Sequence, residues 1–302
     1  MLRVAVVGVG RWGRNHVRVV KELESEGLAE LAAVCDVDIS RAREIASAFG
    51  AKRVASSLSE LLSSPIDAAI VATPIDKLFE VGLELVKRGI NVLIEKPVAT
   101  RSSDAQALAR EAEKRGVVAA PGFIMRFNPA VQELKRVALR HRIHYAVFRR
   151  LSRRPPQARR FPILLDLSIH DIDLCRYVVS RAACSVESAS IVDAGIDNVV
   201  LAVMRCGDSR CVIHTDGLSL AKVREIELIC EDAFIRANTD ENTIKIIYPD
   251  RSYEERRIVG EEPLKAEDRA FLRACLGQKV EIPTLEDAAE ALRVIEQIEG
   301  KR

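Results

Sequence analysis

No apolar run in the 302-residue sequence comes near the ~20 residues that a membrane-spanning helix requires. Charge of one sign is lacking too. Its 46 lysines and arginines stand against 44 aspartates and glutamates, for a formal net charge of +2. That balance gives no reason to expect nucleic acid or a membrane surface as the main partner. Metal-ligand spacing is also missing. The seven cysteines form no C-x-x-C pair, and His16, His141, His144, His170 and His214 stand at no ligand spacing, so no metal site is expected. There are no repeats, low-complexity tracts or long linkers. The first residues run into a strand with no apolar leader or cleavage site, which leads to the expectation of a cytoplasmic protein.

What is present describes a packed protein. Hydrophobic residues make up 48% of the chain and charged residues 30%, enough for one large domain or two ordinary ones. The organising stretch is RVAVVGVGRWGRNH, Arg3 to His16. Residues 3–7 read as a β-branched strand and 14–23 as a helix. Between them Gly8, Gly10 and Gly13 supply the G-x-G-x-x-G spacing. Gly8 allows the tight turn, Gly10 lets a pyrophosphate approach the backbone, and Gly13 lets helix and strand pack closely. Arg11 and Trp12 lie in the turn, where the positive end of the helix attracts an anion.

The next strand, 28–36, ends at Asp36, about 20 residues past the last glycine, where an acid that accepts hydrogen bonds from a ribose is expected. A carboxylate there repels a 2′-phosphate, so NAD is favoured over NADP as cofactor. Arg41 and Arg43 are close enough in sequence to soften that preference.

From residue 1 to 120 strands and helices alternate. Further strands are read at 52–55, 67–73, 91–95 and 117–120, and helices at 39–49, 58–63, 77–88 and 102–115. Strands that are apolar throughout and alternate with helices imply a doubly wound parallel sheet, a Rossmann domain. Beyond a boundary near Pro121-Gly122 the pattern changes. Strand signals at 143–151, 186–193, 198–206, 210–215, 224–230, 234–238, 243–248 and 253–259 are joined by short turns. They imply an α+β domain over 121–302 with a mostly antiparallel open sheet, expected to bind substrate and to join subunits. Helices are expected at 129–139 and 163–180, and two more close the chain. The exposed face of this sheet is the expected contact of a homodimer or homotetramer. Cys206 and Cys211 flank the turn Gly207-Asp208-Ser209 and are placed to face each other across a hairpin; whether they form a disulfide stays open.

Four sets of residues could carry chemistry. Glu95-Lys96-Pro97 ends a parallel strand, where ligands bind in an open α/β sheet, and Pro97 keeps Lys96 extended. Lys96 there suits proton exchange with a substrate hydroxyl, although an ordinary surface lysine fits the same pattern. In LDLSIHDIDL, residues 165–174, Asp166 and His170 share a helix face, with Asp173 beyond them. That is a proton-transfer pair or a structural one. Arginines crowd 149–160, at Arg149, Arg150, Arg153, Arg154, Arg159 and Arg160, broken by Pro155-Pro156. They suit a diphosphate, or else a solvated loop. Thr73-Pro74 ends another strand at the cofactor rim. Arg126-Phe127-Asn128-Pro129 offers Arg126 and Asn128 to a substrate.

Taken in order, GVGRWGRNH, Cys35-Asp36, Ala72-Thr73-Pro74, Glu95-Lys96-Pro97, Arg126-Phe127-Asn128-Pro129 and D-x-x-x-H at 166–170 resemble the glucose–fructose oxidoreductase/inositol dehydrogenase/rhizopine catabolism family. The likeness runs over essentially the whole chain. It implies a dehydrogenase that moves a hydride between a secondary hydroxyl of a sugar and NAD. By the same resemblance Lys96 and His170 are the acid/base pair, Asp166 orients the histidine or the substrate, and the bond before Pro97 is cis. The cofactor would meet Gly8, Gly10, Arg11, Trp12, Gly13, Asp36, Thr73, Pro74, Glu95 and Lys96. The substrate would meet Arg126, Asn128, Arg159, Arg160 and Asp173.

Two positions depart from the family pattern. A histidine usual after the threonine-proline is replaced near Leu78, and glycines usual before Asp166 are replaced by Phe161-Pro162-Ile163-Leu164. Within the family, the arginine/proline run and GRWGRNH look most like the UDP-N-acetylamino-sugar 3-dehydrogenases. Oxidation of myo-inositol or another polyol, and a non-catalytic NAD(P)-sensing regulator, remain as alternatives.

Overall fold

The computed structural model describes residues 1–301, which divide into two compact units. The first holds Met1–Phe123 and Leu264–Ala289; the second holds Ile124–Pro263 and the chain from Glu290 onward. The first unit contains β1 (Leu2–Val7), α1 (Arg11–Ser25), β2 (Ala29–Cys35), α2 (Ile39–Phe49), β3 (Arg53–Ala55), α3 (Leu58–Leu61), β4 (Ala68–Val71), α4 (Ile75–Lys87), β5 (Asn91–Glu95), α5 (Ser102–Arg115) and β6 (Ala119–Gly122).

Its six strands are all parallel, in the order β3-β2-β1-β4-β5-β6. This is the doubly wound order of the dinucleotide-binding fold, and the winding reverses between β1 and β4. Strands β1, β4 and β5 are buried almost end to end, as a sheet covered on both faces requires. Pro121 lies inside β6 rather than beyond it. A proline is tolerated there because β6 is an edge strand and the missing N–H costs no ladder bond.

The sequence reading assigned everything after 120 to the second domain. The structure instead returns α8 (Pro263–Cys275) and the start of α9 (Leu285–Glu299) to the first unit. Ion pairs hold α8 against α1: Asp268 to His16 at 2.9 Å, and Lys265 to Glu22 at 3.2 Å and Glu26 at 3.1 Å. Buried Leu264, Phe271 and Leu272 add its apolar face.

The second unit contains α6 (Pro129–Ala138), β7 (Ile143–Leu151), a helix over 164–179 whose centre is α7 (Ile169–Leu174), β8 (Cys184–Asp193), β9 (Asn198–Cys206), β10 (Ser209–Asp216), β11 (Val223–Cys230), β12 (Phe234–Asn238), β13 (Thr243–Ile247) and β14 (Tyr253–Arg257). Its eight-stranded sheet has the order β14-β13-β12-β11-β7-β10-β9-β8, antiparallel except for the β7–β10 pair. Burial alternates along β7, β9, β10 and β11. Ala146, Phe148, Val200, Ala202, Cys211, Ile213, Ile226 and Leu228 face the core. On the opposite face Arg149 bridges Glu225 and Glu227, and Arg236 also reaches Glu227.

The cysteine pairing differs from the one the hairpin suggested. Cys206 is joined to Cys184, and Cys211 is a buried free thiol. Register explains it. Across the β9–β10 hairpin Cys206 stands opposite Ser209 and Cys211 opposite Met204, whereas β8 brings Cys184 directly opposite Cys206. Near 164–179 the chain also departs from a plain α-helix. Leu164–Ser168 and Cys175–Val179 wind in wider π-helical turns around α7.

Candidate functional site

Two loops meet where the winding of the parallel sheet reverses. The first, after β1, carries Gly8, Gly10 and Gly13. A Cβ placed on Gly8, which has φ +84°, would lie 2.7 Å from the backbone of Ala72 and Thr73; one on Gly13 would lie 1.8 Å from the Gly8 carbonyl oxygen. Both glycines are therefore required by packing. A Cβ on Gly10 meets nothing within 4 Å, so there the backbone is bare toward open space. Behind it α1 begins with no side-chain cap, whereas Asp38 and Ser57 cap α2 and α3. An uncapped helix N-terminus behind an open glycine is a seat for phosphate. Arg11 and Trp12, expected in the turn, instead form the first two residues of α1, which starts earlier than 14, and both are exposed there.

Asp36, just past β2, is buried, with its carboxylate beside this loop. Its Oδ2 accepts the Val9 N–H at 2.9 Å, its Oδ1 accepts the Asp38 N–H at 2.9 Å, and Arg41 reaches both oxygens at 3.4 Å. On the neighbouring loop after β4 the hydroxyl of Thr73 is buried with no hydrogen-bond partner among the described residues, and Pro74 is exposed. An open glycine, an uncapped helix, an acid and an orphaned hydroxyl around one switch point fit a dinucleotide. Leu78, where the family pattern has a histidine, is a core residue at 1% exposure.

Strand β5 ends beside β4 with Glu95, and the Lys96–Pro97 bond that follows is cis. Lys96 is half-buried. Glu95 is buried and bonds on several sides: its Oε2 accepts the Lys96 backbone N–H at 3.1 Å, and its Oε1 accepts the indole N–H of Trp12 and lies 3.1 Å from His16 Nε2. Room for this side chain comes from Gly122 opposite it on β6, where a Cβ would stand 3.2 Å from the Glu95 carboxyl. Sequence reasoning placed Glu95 at a cofactor but missed His16, Glu267 and Asp268. The histidine's partners on α8 are about 250 positions away, and no local pattern marks them.

In the second unit Asp166 and His170 are both half-buried on the 164–179 helix. Asp166 Oδ2 accepts from Arg154 Nη1 at 3.3 Å. The arginine run divides in two. Arg150 is buried against Asp171 at 2.8 Å, and Arg154 is buried against Asp197 through two bonds of 2.7 and 2.5 Å. Arg153 is exposed and Arg159 half-buried, and with Arg154, Pro155 and Pro156 they line a pocket of about 410 Å³. Arg160 stands outside that lining, its guanidinium 4.7 Å from the Phe161 ring. Arg126 and Asp173, both expected at a substrate, are buried and bonded to each other at 2.8 and 2.5 Å. Asn128 caps α6 by accepting the N–H groups of Ala130 and Val131, and it donates to the Thr239 carbonyl. These contacts give Arg126, Asn128 and Asp173 work within the fold.

A family model described as an oxidoreductase family with an NAD-binding Rossmann fold matches residues 2–123. Among characterised relatives, the UDP-N-acetylglucosamine 3-dehydrogenase of Acidithiobacillus ferrooxidans is 30% identical over 63% of this chain and 58% of its own. The scyllo-inositol 2-dehydrogenase (NAD(+)) of Bacillus subtilis is 30% identical over 61% and 56%. The aligned stretches thus span a little over half the length of these relatives. The solved structure of the Acidithiobacillus enzyme superposes with a TM-score of 0.91 at 26% identity, covering 99% of this chain and 97% of that one. A Bordetella pertussis dehydrogenase solved with NADH and UDP-GlcNAcA shares the fold, with a TM-score of 0.82 at 20% identity over 99% and 96% of the two chains.

Proposed function

We propose that the chain, whose residues 2–123 match an oxidoreductase family with an NAD-binding Rossmann fold, oxidises the 3-hydroxyl of a UDP-N-acetylamino sugar with NAD. NAD, when bound, supplies the hydride acceptor. Gly8, Gly10, Gly13 and the start of α1 seat its pyrophosphate, Asp36 its adenosine ribose, and Thr73 and Pro74 line the nicotinamide end. Lys96 exchanges the proton of the reacting hydroxyl. In the second unit His170 is the further proton-transfer group, and Asp166 a group that orients substrate. Nucleotide recognition falls to Arg153 and Arg159, with Arg160 beside them. Copies of the chain pair as a dimer or tetramer through the exposed sheet face, where Tyr145 and Leu201 stand open.

One observation carries the choice of a nucleotide sugar over a free polyol: the arginine-lined pocket of about 410 Å³. A free polyol has no charge for it to meet, whereas guanidinium forks match a diphosphate. Binding the remote nucleotide there would help hold the sugar carbon in place during reaction. The test is NADH formation from NAD with a panel of UDP-sugars and free polyols. Turnover of UDP-N-acetylglucosamine or its uronate supports the reading, and turnover of inositol alone overturns it. Replacing Arg153 and Arg159 together by glutamine is expected to raise KM for the UDP-sugar by about 10- to 100-fold with kcat little changed, as loss of charged hydrogen bonds predicts. An unchanged KM would take the diphosphate away from this pocket.

Asp36→Asn keeps an acceptor for the Val9 N–H but removes the charge that repels a 2′-phosphate, and it leaves Arg41 available to meet one. The NAD over NADP preference, read from the two Kd values, is expected to narrow by about tenfold or more, the worth of one charged interaction. An unaltered preference would remove Asp36 from the ribose site.

A further inference from the structure

Four ionisable side chains without a part in the proposed reaction steps lie together inside the first unit. They are His16 on α1, Glu95 at the end of β5, and Glu267 and Asp268 on α8, all buried. Both ring nitrogens of His16 face carboxylate oxygens. Nδ1 is 2.9 and 3.0 Å from the two Asp268 oxygens, and Nε2 is 3.1 Å from Glu95 Oε1. A carboxylate can only accept, so a ring bonded at both nitrogens carries both protons. Burial alone would favour the neutral ring, but Asp268 and Glu95 outweigh it and raise the imidazolium well above its ordinary range. Glu267 goes the other way. Its carboxyl is buried without a hydrogen-bond partner among the described residues, and burial together with the charges of Glu95 and Asp268 raises it well above a normal carboxylate. The cluster is then one cation between two carboxylates, with a neutral acid beside them.

Glu95 passes this arrangement on. The same carboxylate that meets His16 accepts the Trp12 indole N–H in the glycine turn and the backbone N–H of Lys96. Trp12 also stands edge-to-face with His16, with ring centroids 6.4 Å apart. We propose that His16 is a positioning residue: fixed by Asp268, its imidazolium pins the Glu95 carboxylate, which sets the Trp12 indole in the cofactor turn and the Lys96 backbone at the reacting end. Without that cation the buried Glu95 carboxylate loses the ring N–H that faces its Oε1, and its hold on the Trp12 indole and the Lys96 N–H loosens with it.

The role at Lys96 rests on the dehydrogenase reading; the link to Trp12 does not. Trp12 is the only tryptophan in the chain, so its emission reports on this cluster alone. A protonated imidazole at its edge quenches it, and the groups facing His16 are Trp12 from α1, Glu95 from β5, and Asp268 and Glu267 from α8. The wild-type full chain is expected to show emission that is flat with pH across about pH 6 to 9, because the ring stays charged through the range in which a free histidine titrates. Asp268→Asn should bring a rise in emission with increasing pH into that window. His16→Gln should remove the quenching at every pH, loosen NADH binding, and lower kcat by about 10- to 100-fold with KM for the sugar nearly unchanged, as a misplaced reacting group does. If His16→Gln does not fold, the isosteric Asp268→Asn gives the same reading.

Emission and kcat in both variants equal to wild type would overturn the proposal. Altered emission with unchanged kcat would overturn the positioning of Lys96. A wild-type chain with no turnover on any sugar would end the dehydrogenase reading, and the emission titration would still support or overturn the link from His16 to Trp12.

Discussion

Lys96→Met is expected to lower kcat by about 10²- to 10⁴-fold, the usual worth of a positioned proton-transfer group, while NAD still binds. Methionine keeps much of the length and apolar stem of lysine and removes the amine, so packing around the half-buried side chain changes little. The groups proposed to seat the pyrophosphate, the adenosine ribose and the nicotinamide end are in the loops after β1, β2 and β4, so Kd for NADH, read from its fluorescence, is expected to stay within about threefold of wild type, less than the loss of one hydrogen bond. The Lys96 backbone N–H is bonded to Glu95, a contact that the substitution leaves in place. A kcat near that of wild type would return Lys96 to the role of a surface lysine. A large loss of NADH affinity would mean that its charge serves the cofactor instead.

The first unit was legible because its signals are local. Gly8, Gly10 and Gly13 lie within six residues, the apolar strands are short continuous runs, and Asp36 falls at a fixed distance from the glycines. Pairings set by long-range register were not legible. Cys206 has a cysteine five residues ahead across a tight turn, yet its partner is Cys184, and only the alignment of β8 with β9 decides this. The parallel β7–β10 pair is hidden in the same way, since 57 residues separate those strands and a turn-rich stretch suggests hairpins. Charge gave the most misleading signal. Arg149 to Arg160 reads as one basic patch, but Arg150 and Arg154 point into the core because Asp171 and Asp197 meet them there. Sequence shows that an arginine is present and not whether a carboxylate distant in the chain neutralises it. The same limit hid the Asp268 partner of His16, and with it the return of α8 to the first unit.

That distinction among the arginines can be tested through stability. Arg154→Met is expected to destabilise the second unit by about 3 to 5 kcal/mol, because it leaves Asp197 as a buried charge with its main partner removed. The guanidinium also donates to the carbonyls of Ala158 and Phe161, at 3.3 and 3.0 Å, so the loop that carries Arg153 and Arg159 should loosen with it. Urea denaturation reads the loss as a lower midpoint. Adding Asp197→Leu should recover much of it, since an apolar pair avoids the desolvation cost of the ions, although the Phe161 carbonyl still lacks its Arg154 donor while that of Ala158 keeps the Phe161 N–H.

The pH dependence has a definite sign. Burial alone would raise the Asp197 carboxyl, but Arg154 and the Asn198 N–H hold it below its ordinary value. The pair's stabilisation is therefore complete above the unfolded carboxyl's ~3.9 and is lost as pH falls below it toward the lowered folded value. In Arg154→Met the uncompensated Asp197 titrates upward instead and gains from acid. The gap between the two proteins should narrow as pH falls toward about 4, where an ordinary carboxylate begins to protonate. A loss under about 1 kcal/mol that does not change with pH would be the size of an exposed pair, and it would return Arg154 to the pocket as a free anion-binding group.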